Sequence, residues 1–438
     1  MIVLLLRCNP DRLIRNLGGD EEIAKIKRGS DIIPPPSSIL HLPITNNITI
    51  MATLIQIPTP NFTLESFILP STNQRILGPP HPPNTAIPLS LRPTHSANPN
   101  SLTLDTIIHD IQTLQRDNQF FTKYLSRHGT LLFRGLPIHN ASDFSNFAHA
   151  FGYRPHEIIG IVVDRPVLAP NVAPANESPK EILIYNHNES PQVPHAPEYI
   201  FFYGHRALGA GRGGETPISS SLELFQRVQQ DLPSFVTDLA EKGILSTVTY
   251  TVDAPYKGGA TLRQAFGKHI LDSDDEETRR GKIEAQIARY GRGEHTTFEW
   301  RDQNTLVLTH RLPAIRTQVG TNLPSLFTGL AAYHRNAKVN GRGNAAQQRY
   351  GDGTAIPEEY LERLAEITDE IRVLHTWEEG DVLVFDNVIA QHGREPWRGE
   401  QEDRVVMASL FDGEVPGAYG FGEWAKMVQA LDDTDADI

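Results

Sequence analysis

The sequence predicts a mixed α/β (α+β) protein in which a helix-rich N-terminal portion packs on a mostly antiparallel barrel. Three observations predict it. Apolar residues recur at helical spacing over 104–125 (Ile107, Ile111, Leu114, Phe121), after Ser142 (Phe144, Phe147, Phe151) and over 357–373 (Leu361, Leu364, Ile367, Ile371). Short apolar runs that suit strands better than helices fall at 130–133, 182–187, 199–204, 245–251, 382–385 and 405–411. No internal repeat breaks this pattern into modules.

Taken in order, the chain begins with Met1 to Leu6, an apolar run ended at once by Arg7, Cys8, Asn9 and Pro10. That is shorter than the apolar core of a secretory signal, about 7–15 residues. Residues 11–50 show no periodicity and contain Pro34, Pro35 and Pro36. We therefore expect 1–50 to be a disordered leader or a gene-model extension, with Met51 as the functional start. Residues 51–103 read as an irregular arm, because 78–100 is rich in Pro, Asn and Thr. Residues 104–438 read as a single domain. Within it, a helix over 104–125 begins near Asp105, a short buried strand follows, and Asp143 opens a helix that ends near Gly152. The acidic run 272–277 reads as the solvated start of a helix over 275–290. The polar, Gly-rich stretch 335–356 suits either an active-site lid or a surface loop.

Composition narrows the function classes. The 438 residues are 39% hydrophobic and 21% charged, which suits a folded core. A net charge of −13 argues against a nucleic-acid partner, since phosphate binding needs a basic face. No apolar run approaches the roughly 20 residues that span a bilayer. The one cysteine, Cys8, cannot form an intrachain disulfide, and a reducing, cytoplasmic setting is expected. Oligomeric state is not legible.

Chemistry concentrates in two places. His187-Asn188-Glu189 follows Ile184-Tyr185-Asn186, and His392 follows the run Gly380-Asp381-Val382-Leu383-Val384-Phe385-Asp386-Asn387. Alternate residues of a strand share a face, so His187 and Glu189 can reach one metal ion while Asn188 faces away. Two imidazoles and a carboxylate that leave coordination positions open describe the facial triad of non-haem Fe(II) oxygenases. An H-x-E tripeptide alone is a weak signal. Here it is joined by Gly213-Gly214-Glu215-Thr216-Pro217, by His392-Gly393-Arg394 and by Arg404 in a late apolar strand. A buried Arg needs a partner, and a carboxylate fits its planar fork. The distal carboxylate of 2-oxoglutarate, held by Arg404 and a hydroxyl, suits that need, with the keto-acid end on iron. The Gly pair permits close backbone approach, and Asp386-Asn387 reads as a turn aiming the next segment at the metal. His195, His205, His310 and His334 read as pocket-wall, hydrogen-bonded or loop histidines rather than ligands, and Phe201, Phe202 and Tyr203 as core and pocket wall. Arg394 either lines the substrate site or pairs with Asp386. From residues alone, three readings stand: an oxygenase acting on a small molecule with O2, a cupin-like metal-binding barrel without oxoglutarate chemistry, and a silent scaffold. The second has no need for Thr216 and Arg404 together; the third would favour loss of a ligand, and all three are present.

These runs, with His128-Gly129-Thr130-Leu131-Leu132-Phe133-Arg134-Gly135-Leu136-Pro137, Asp143-Phe144, Phe151-Gly152 and Asn171-Val172 upstream, resemble the clavaminate synthase-like branch of the taurine dioxygenase superfamily of Fe(II)/2-oxoglutarate-dependent dioxygenases. The resemblance spans about residue 120 to about residue 411. It implies a double-stranded β-helix (jelly-roll) core with flanking helices. It implies His187, Glu189 and His392 as iron ligands, and Thr216 and Arg404 as the grip on 2-oxoglutarate. It also implies a small-molecule substrate whose C–H bond is hydroxylated, desaturated or closed into a ring. Halogenase relatives lack the carboxylate ligand, so Glu189 argues against that chemistry. Taurine dioxygenase itself carries a second Arg four residues after the anchor, where this chain has Ala408, which argues against a taurine-like substrate.

Overall fold

Two mostly antiparallel sheets carry the site, as seen in a computed structural model that describes residues 55–69, 73–94, 102–160, 166–175, 178–252, 261–291, 295–318, 323–339 and 349–413. The leader expected at 1–50 lies outside these residues, as does part of the stretch 335–356. The described residues fall in one unit.

The larger sheet has nine strands. Across its centre lie, in spatial order, Leu89–Thr94, Thr130–Phe133, Val382–Asp386, Tyr199–Arg206 and Val405–Asp412. The smaller sheet runs Val373–His375, Thr216–Ser220, Ala390–Arg394, Ile184–His187. All pairings in the smaller sheet are antiparallel. In the larger one, Leu89–Thr94 runs parallel to Thr130–Phe133. A separate four-stranded sheet (Thr296–Trp300, Thr305–Leu312, Ile244–Thr251, Arg349–Tyr350) forms a further layer. The helix Glu276–Tyr290 shares an apolar cluster with two of these strands through Ile283, Ile287, Tyr250, Leu306 and Leu308.

Strand alternation separates core from cavity. Along Val405–Asp412, Met407 and Phe411 enter the core beneath the N-terminal helices. Val406, Ala408 and Leu410, on the opposite face, line a cavity of about 260 Å³. That core is aromatic: Phe133 meets Phe147 edge-on at 5.5 Å and Phe121 at 5.7 Å, and Phe201 meets Phe411 at 5.2 Å.

Two expectations are corrected. The single helix over 104–125 is two helices, Leu104–Asn118 and Phe120–His128, broken at Gln119 in the left-handed region (φ 50°). The physical reason is local. The Gln115 side-chain oxygen accepts the backbone N–H groups of Phe121 (2.7 Å) and Thr122 (3.2 Å), satisfying donors at the start of the second helix. The arm at 51–103 is not irregular in its described part. Gln56–Pro58, Thr63–Ser66 and Leu89–Thr94 join the larger sheet, and Arg75–Leu77 pairs with Thr85–Ile87. Strands this short carry too little periodicity to read, and Pro79, Pro80, Pro82 and Pro83 sit in the turn between Arg75–Leu77 and Thr85–Ile87. The helices near 141 and 357 form as expected, at Ala141–His149 and Glu358–Ile371. The acidic run opens a helix, with Asp275 accepting from the Thr278 N–H at 2.8 Å.

Phe133 is fully buried among these rings. We expect Phe133→Ala to lose about 3–5 kcal/mol of unfolding free energy in a denaturant titration. A loss below about 1 kcal/mol would show that this cluster does not hold the helices on the sheet.

Candidate active site

The smaller sheet brings the distant histidines together. His392 and His187 are direct antiparallel partners on adjacent strands, and their rings lie 4.7 Å apart. His187 is the last residue of its strand, so Glu189 lies just beyond it. The Glu189 carboxylate oxygen Oε2 sits 3.3 Å from His392 Nε2 and 4.0 Å from His187 Nε2. All three side chains are buried and offer ligand atoms within 4.8 Å of one another, a spacing that could hold a metal ion.

The neighbours explain why this geometry persists. His187 Nδ1 donates to the Tyr185 carbonyl at 2.7 Å, which leaves Nε2 as the lone-pair nitrogen. That Nε2 is buried and has no hydrogen-bond partner among the described residues. Such an orphan is costly unless something absent here fills it, and a divalent metal does so. The chemistry of the donor set therefore fits Fe(II). Glu189 is held through its backbone. Its N–H donates to Asn387 Oδ1 at 2.6 Å, while Asn387 Nδ2 donates to the carbonyls of Glu189 (3.0 Å) and Pro197 (2.7 Å). Asn188 lies past the end of the strand, and its side chain bonds away from the ligand cluster. Its amide donates to Asn387 O and Ser221 Oγ, and its oxygen accepts from Thr328 N. Phe202 and Phe385 pack on the His392 ring at 5.0 and 5.4 Å. Burial and the neighbouring His392 push the His187 imidazole well below its ordinary pKa, and burial pushes His392 down to about 3. Both rings are thus neutral, the state that ligates metal.

Arg404 and Thr216 also meet. Thr216 starts its strand and Arg404 directly precedes Val405–Asp412. Arg404 Nε donates to the Gly214 carbonyl at 2.8 Å, and a terminal guanidinium nitrogen lies 3.5 Å from Thr216 Oγ1. Trp377 Nε1 donates to that same hydroxyl oxygen at 2.9 Å, and the guanidinium lies 5.6 Å from the Trp397 ring and 6.0 Å from the Trp377 ring. Burial, then the nearby Arg394, lower the Arg404 pKa to about 9, still cationic at neutral pH. A buried cation beside a hydroxyl in the cavity that also holds the His/Glu/His cluster suits an anion. The Gly213-Gly214 pair is needed for backbone contact, since both residues have positive φ (86° and 78°) and a Cβ on Gly214 would sit 3.0 Å from the Arg404 side chain.

Other expectations resolve less simply. Arg394 lines the cavity and directs its guanidinium at the carbonyls of Ser178, Pro179 and Ile182. Phe202 forms pocket wall and Phe201 core. His310 bonds Thr296, and His334 bonds Glu362. His195 lines the cavity and bonds Asp412, as a pocket-wall histidine should; sequence reasoning missed Trp377, Trp397 and the two partners that complete a second buried cluster with His195, namely His156 on the cavity wall and Asp412 behind it. The chain holds only four tryptophans, and two of them flank the Gly380 to His392 run. That clustering was the available signal. Nothing in the sequence ties His156 to Asp412.

One family model matches most of the chain. Residues 102–410 match the model of the taurine catabolism dioxygenase TauD, TfdA family. The chain is 29% identical over 301 residues to a clavaminate synthase-like protein of Arabidopsis thaliana, covering 68% of this chain and 86% of that one. It is 27% identical over 317 residues to the dapdiamide synthesis protein DdaC of Enterobacter agglomerans, covering 69% and 89%. Among solved structures, a taurine dioxygenase from Burkholderia xenovorans aligns at a TM-score of 0.40 and 16% identity, over 83% of this chain and 100% of that one.

Burial sets a pH dependence. His128, His187 and His392 are buried and held below their ordinary pKa, mainly by desolvation. The unfolded chain takes up these protons below pH 6.5 and the folded one does not. Stability is therefore lost as pH falls through that value, by up to about 1.4 kcal/mol per pH unit for each such histidine. Urea unfolding of the metal-free protein should give a lower free energy at pH 5.5 than at pH 7.5; equal or greater stability at pH 5.5 would contradict the buried neutral rings.

Proposed function

The chain belongs to the taurine catabolism dioxygenase TauD, TfdA family, and from that premise we propose that it oxidises an unactivated C–H bond of a small-molecule metabolite by hydroxylation, desaturation or oxidative cyclisation. It is an Fe(II)- and 2-oxoglutarate-dependent dioxygenase. In this reading His187, Glu189 and His392 hold the iron, and Arg404 with Thr216 holds the distal carboxylate of 2-oxoglutarate. The observation that carries it is the convergence of His187, Glu189 and His392 around a buried, unpartnered imidazole nitrogen, in one cavity with Arg404 and Thr216.

Iron with 2-oxoglutarate and O2 supplies oxidative decarboxylation of the co-substrate to succinate and CO2, coupled to oxidation of the substrate. The chain supplies position and dryness. The Tyr185 carbonyl fixes the His187 tautomer. Asn387 fixes the Glu189 backbone. Arg404, deep in a low-dielectric wall, offers a fixed charge whose attraction water does not screen. Apolar side chains such as Phe202, Val406 and Leu410 keep the reacting carbon near the metal and away from solvent. The two facing sheets are read here as the halves of a double-stranded β-helix. The substrate is a soluble metabolite, with O2 as oxidant and neither nucleic acid nor membrane as partner, and the setting is cytoplasmic. No helix among the described residues is long and apolar enough to cross a membrane.

His392→Ala should abolish both iron retention, measured by metal analysis, and oxoglutarate-dependent succinate release. Normal release from that variant would reject the site. Arg404→Ala should raise the KM for 2-oxoglutarate by at least about tenfold while iron binding persists, in line with loss of a charge-assisted bond; an unchanged KM would remove Arg404 from its role. Asn387→Ala should weaken Fe(II) binding by about 10–100-fold, as loss of a group that orients a ligand does, and wild-type affinity in that variant would show that Glu189 needs no clamp.

A further inference from the structure

His156, His195 and Asp412 form a second buried polar cluster, with His156 and His195 on the wall of the same cavity and Asp412 behind them. His156 Nδ1 lies 2.7 Å from Asp412 Oδ1, and His195 Nε2 lies 3.1 Å from Asp412 Oδ2. The backbone fixes this arrangement. Arg154–Pro155 pairs with Phe411 and Asp412, and the His156 N–H donates to the Leu410 carbonyl at 3.0 Å. Burial alone would raise the Asp412 carboxyl, but the two imidazoles beside it outweigh that and hold it well below the usual carboxylate range. A carboxylate only accepts hydrogen bonds, so both contacting nitrogens must be donors. Which nitrogen of each ring meets the carboxylate is thereby set, and the second nitrogen, an acceptor in a neutral imidazole, is left to meet a ligand. Neither second nitrogen has a partner among the described residues. The wall therefore offers two oriented acceptors backed by a buried carboxylate. Half-exposed Arg154 approaches Asp412 at 3.7 Å from its other side.

The placement along one strand gives the cluster a role. Arg404, Val406, Ala408, Leu410 and Asp412 occupy alternate positions, so they share a face. Arg404 and Asp412 stand about 26 Å apart at roughly 3.3 Å per residue. Between the cation at one end and the imidazole–carboxylate cluster at the other, Val406, Ala408 and Leu410 are apolar and line the cavity. We propose that His156, His195 and Asp412 are the headgroup site for the substrate, and that they select a small molecule with a primary ammonium group on an apolar body. The headgroup N–H bonds go to the two imidazole nitrogens turned away from Asp412, and the carboxylate behind the rings polarises both toward the cation. The apolar body lies along Val406, Ala408 and Leu410 toward the His187, Glu189 and His392 cluster. An anionic headgroup would meet the same two imidazole nitrogens with a buried carboxylate behind them. This inference rests on the dioxygenase reading for the direction of the substrate, but not for the headgroup preference.

The test is calorimetric titration of the metal-free, full-length protein at neutral pH with three probes of equal chain length: hexylammonium, hexanoate and hexanol. Hexylammonium should bind at least tenfold tighter than either, and His195→Phe and Asp412→Asn should each weaken it at least tenfold. Should Asp412→Asn fail to fold, His195→Phe, which keeps the ring shape, still decides. Hexanoate binding as tightly as hexylammonium would overturn the proposal. So would hexylammonium affinity unchanged in His195→Phe, or a second equivalent of Mn(II) bound by the wild type and lost in that variant. The visible absorption of an Fe(II)–oxoglutarate chelate reports the dioxygenase reading separately. A chelate band without hexylammonium preference removes the headgroup site alone, and preference without a band leaves the headgroup site and removes the iron assignment.

Discussion

The pairing of His392 with His187 across two neighbouring antiparallel strands is the constraint on which the site depends. Both residues are interior to the chain and distant in sequence, and neither can reach the other without that register. A slip of one residue would turn each imidazole to the opposite face. The register is secured from both sides. Thr216–Ser220 pairs with the His392 strand on one edge and with Val373–His375 on its other. The same strand delivers Thr216. One four-stranded sheet therefore fixes three of the five side chains assigned to iron and 2-oxoglutarate.

The second sheet supplies what the first lacks. Its central strands are anchored in an aromatic core on one face, which leaves the other face free to build the cavity wall. Buried polar side chains then join the two layers. Asn387 ties the end of one larger-sheet strand to the Glu189 backbone, and Arg404, at the start of another, reaches Gly214 and Thr216. A buried polar network of this kind is costly to leave half made, which favours one arrangement of the ligands over alternatives. The same economy of position recurs along Val405–Asp412. A strand that contributes large apolar side chains to the core on one face carries a polar group at each end of the cavity on the other.

Much of this was legible in the sequence, for a physical reason. His187, Glu189, His392, Thr216 and Arg404 lie in or beside short strands whose period-2 pattern fixes which neighbours share a face, and the structure does bring these five into one cavity. The late apolar strands and the amphipathic helix at Glu358–Ile371 carried strong periodic signals and formed where that signal placed them. The break at Gln119 was not legible, because it depends on a side-chain cap from Gln115 rather than on any turn-forming residue. Strands of three or four residues before Thr94 leave too few alternations to detect. His195 was legible as a pocket-wall residue, but its association with His156 and Asp412 was not, because it is wholly tertiary: the ladder between Arg154–Pro155 and the end of the last strand brings His156 to Asp412.

The central claim is that this one cavity binds Fe(II) and 2-oxoglutarate together through the chain's own triad and anchor. Anaerobic titration of the purified protein with Fe(II), with and without 2-oxoglutarate, tests it most directly. The account predicts a visible metal-to-ligand charge-transfer band that requires both components and reaches one iron per chain. Iron bound without any oxoglutarate-dependent band, or no iron bound at all, would contradict it.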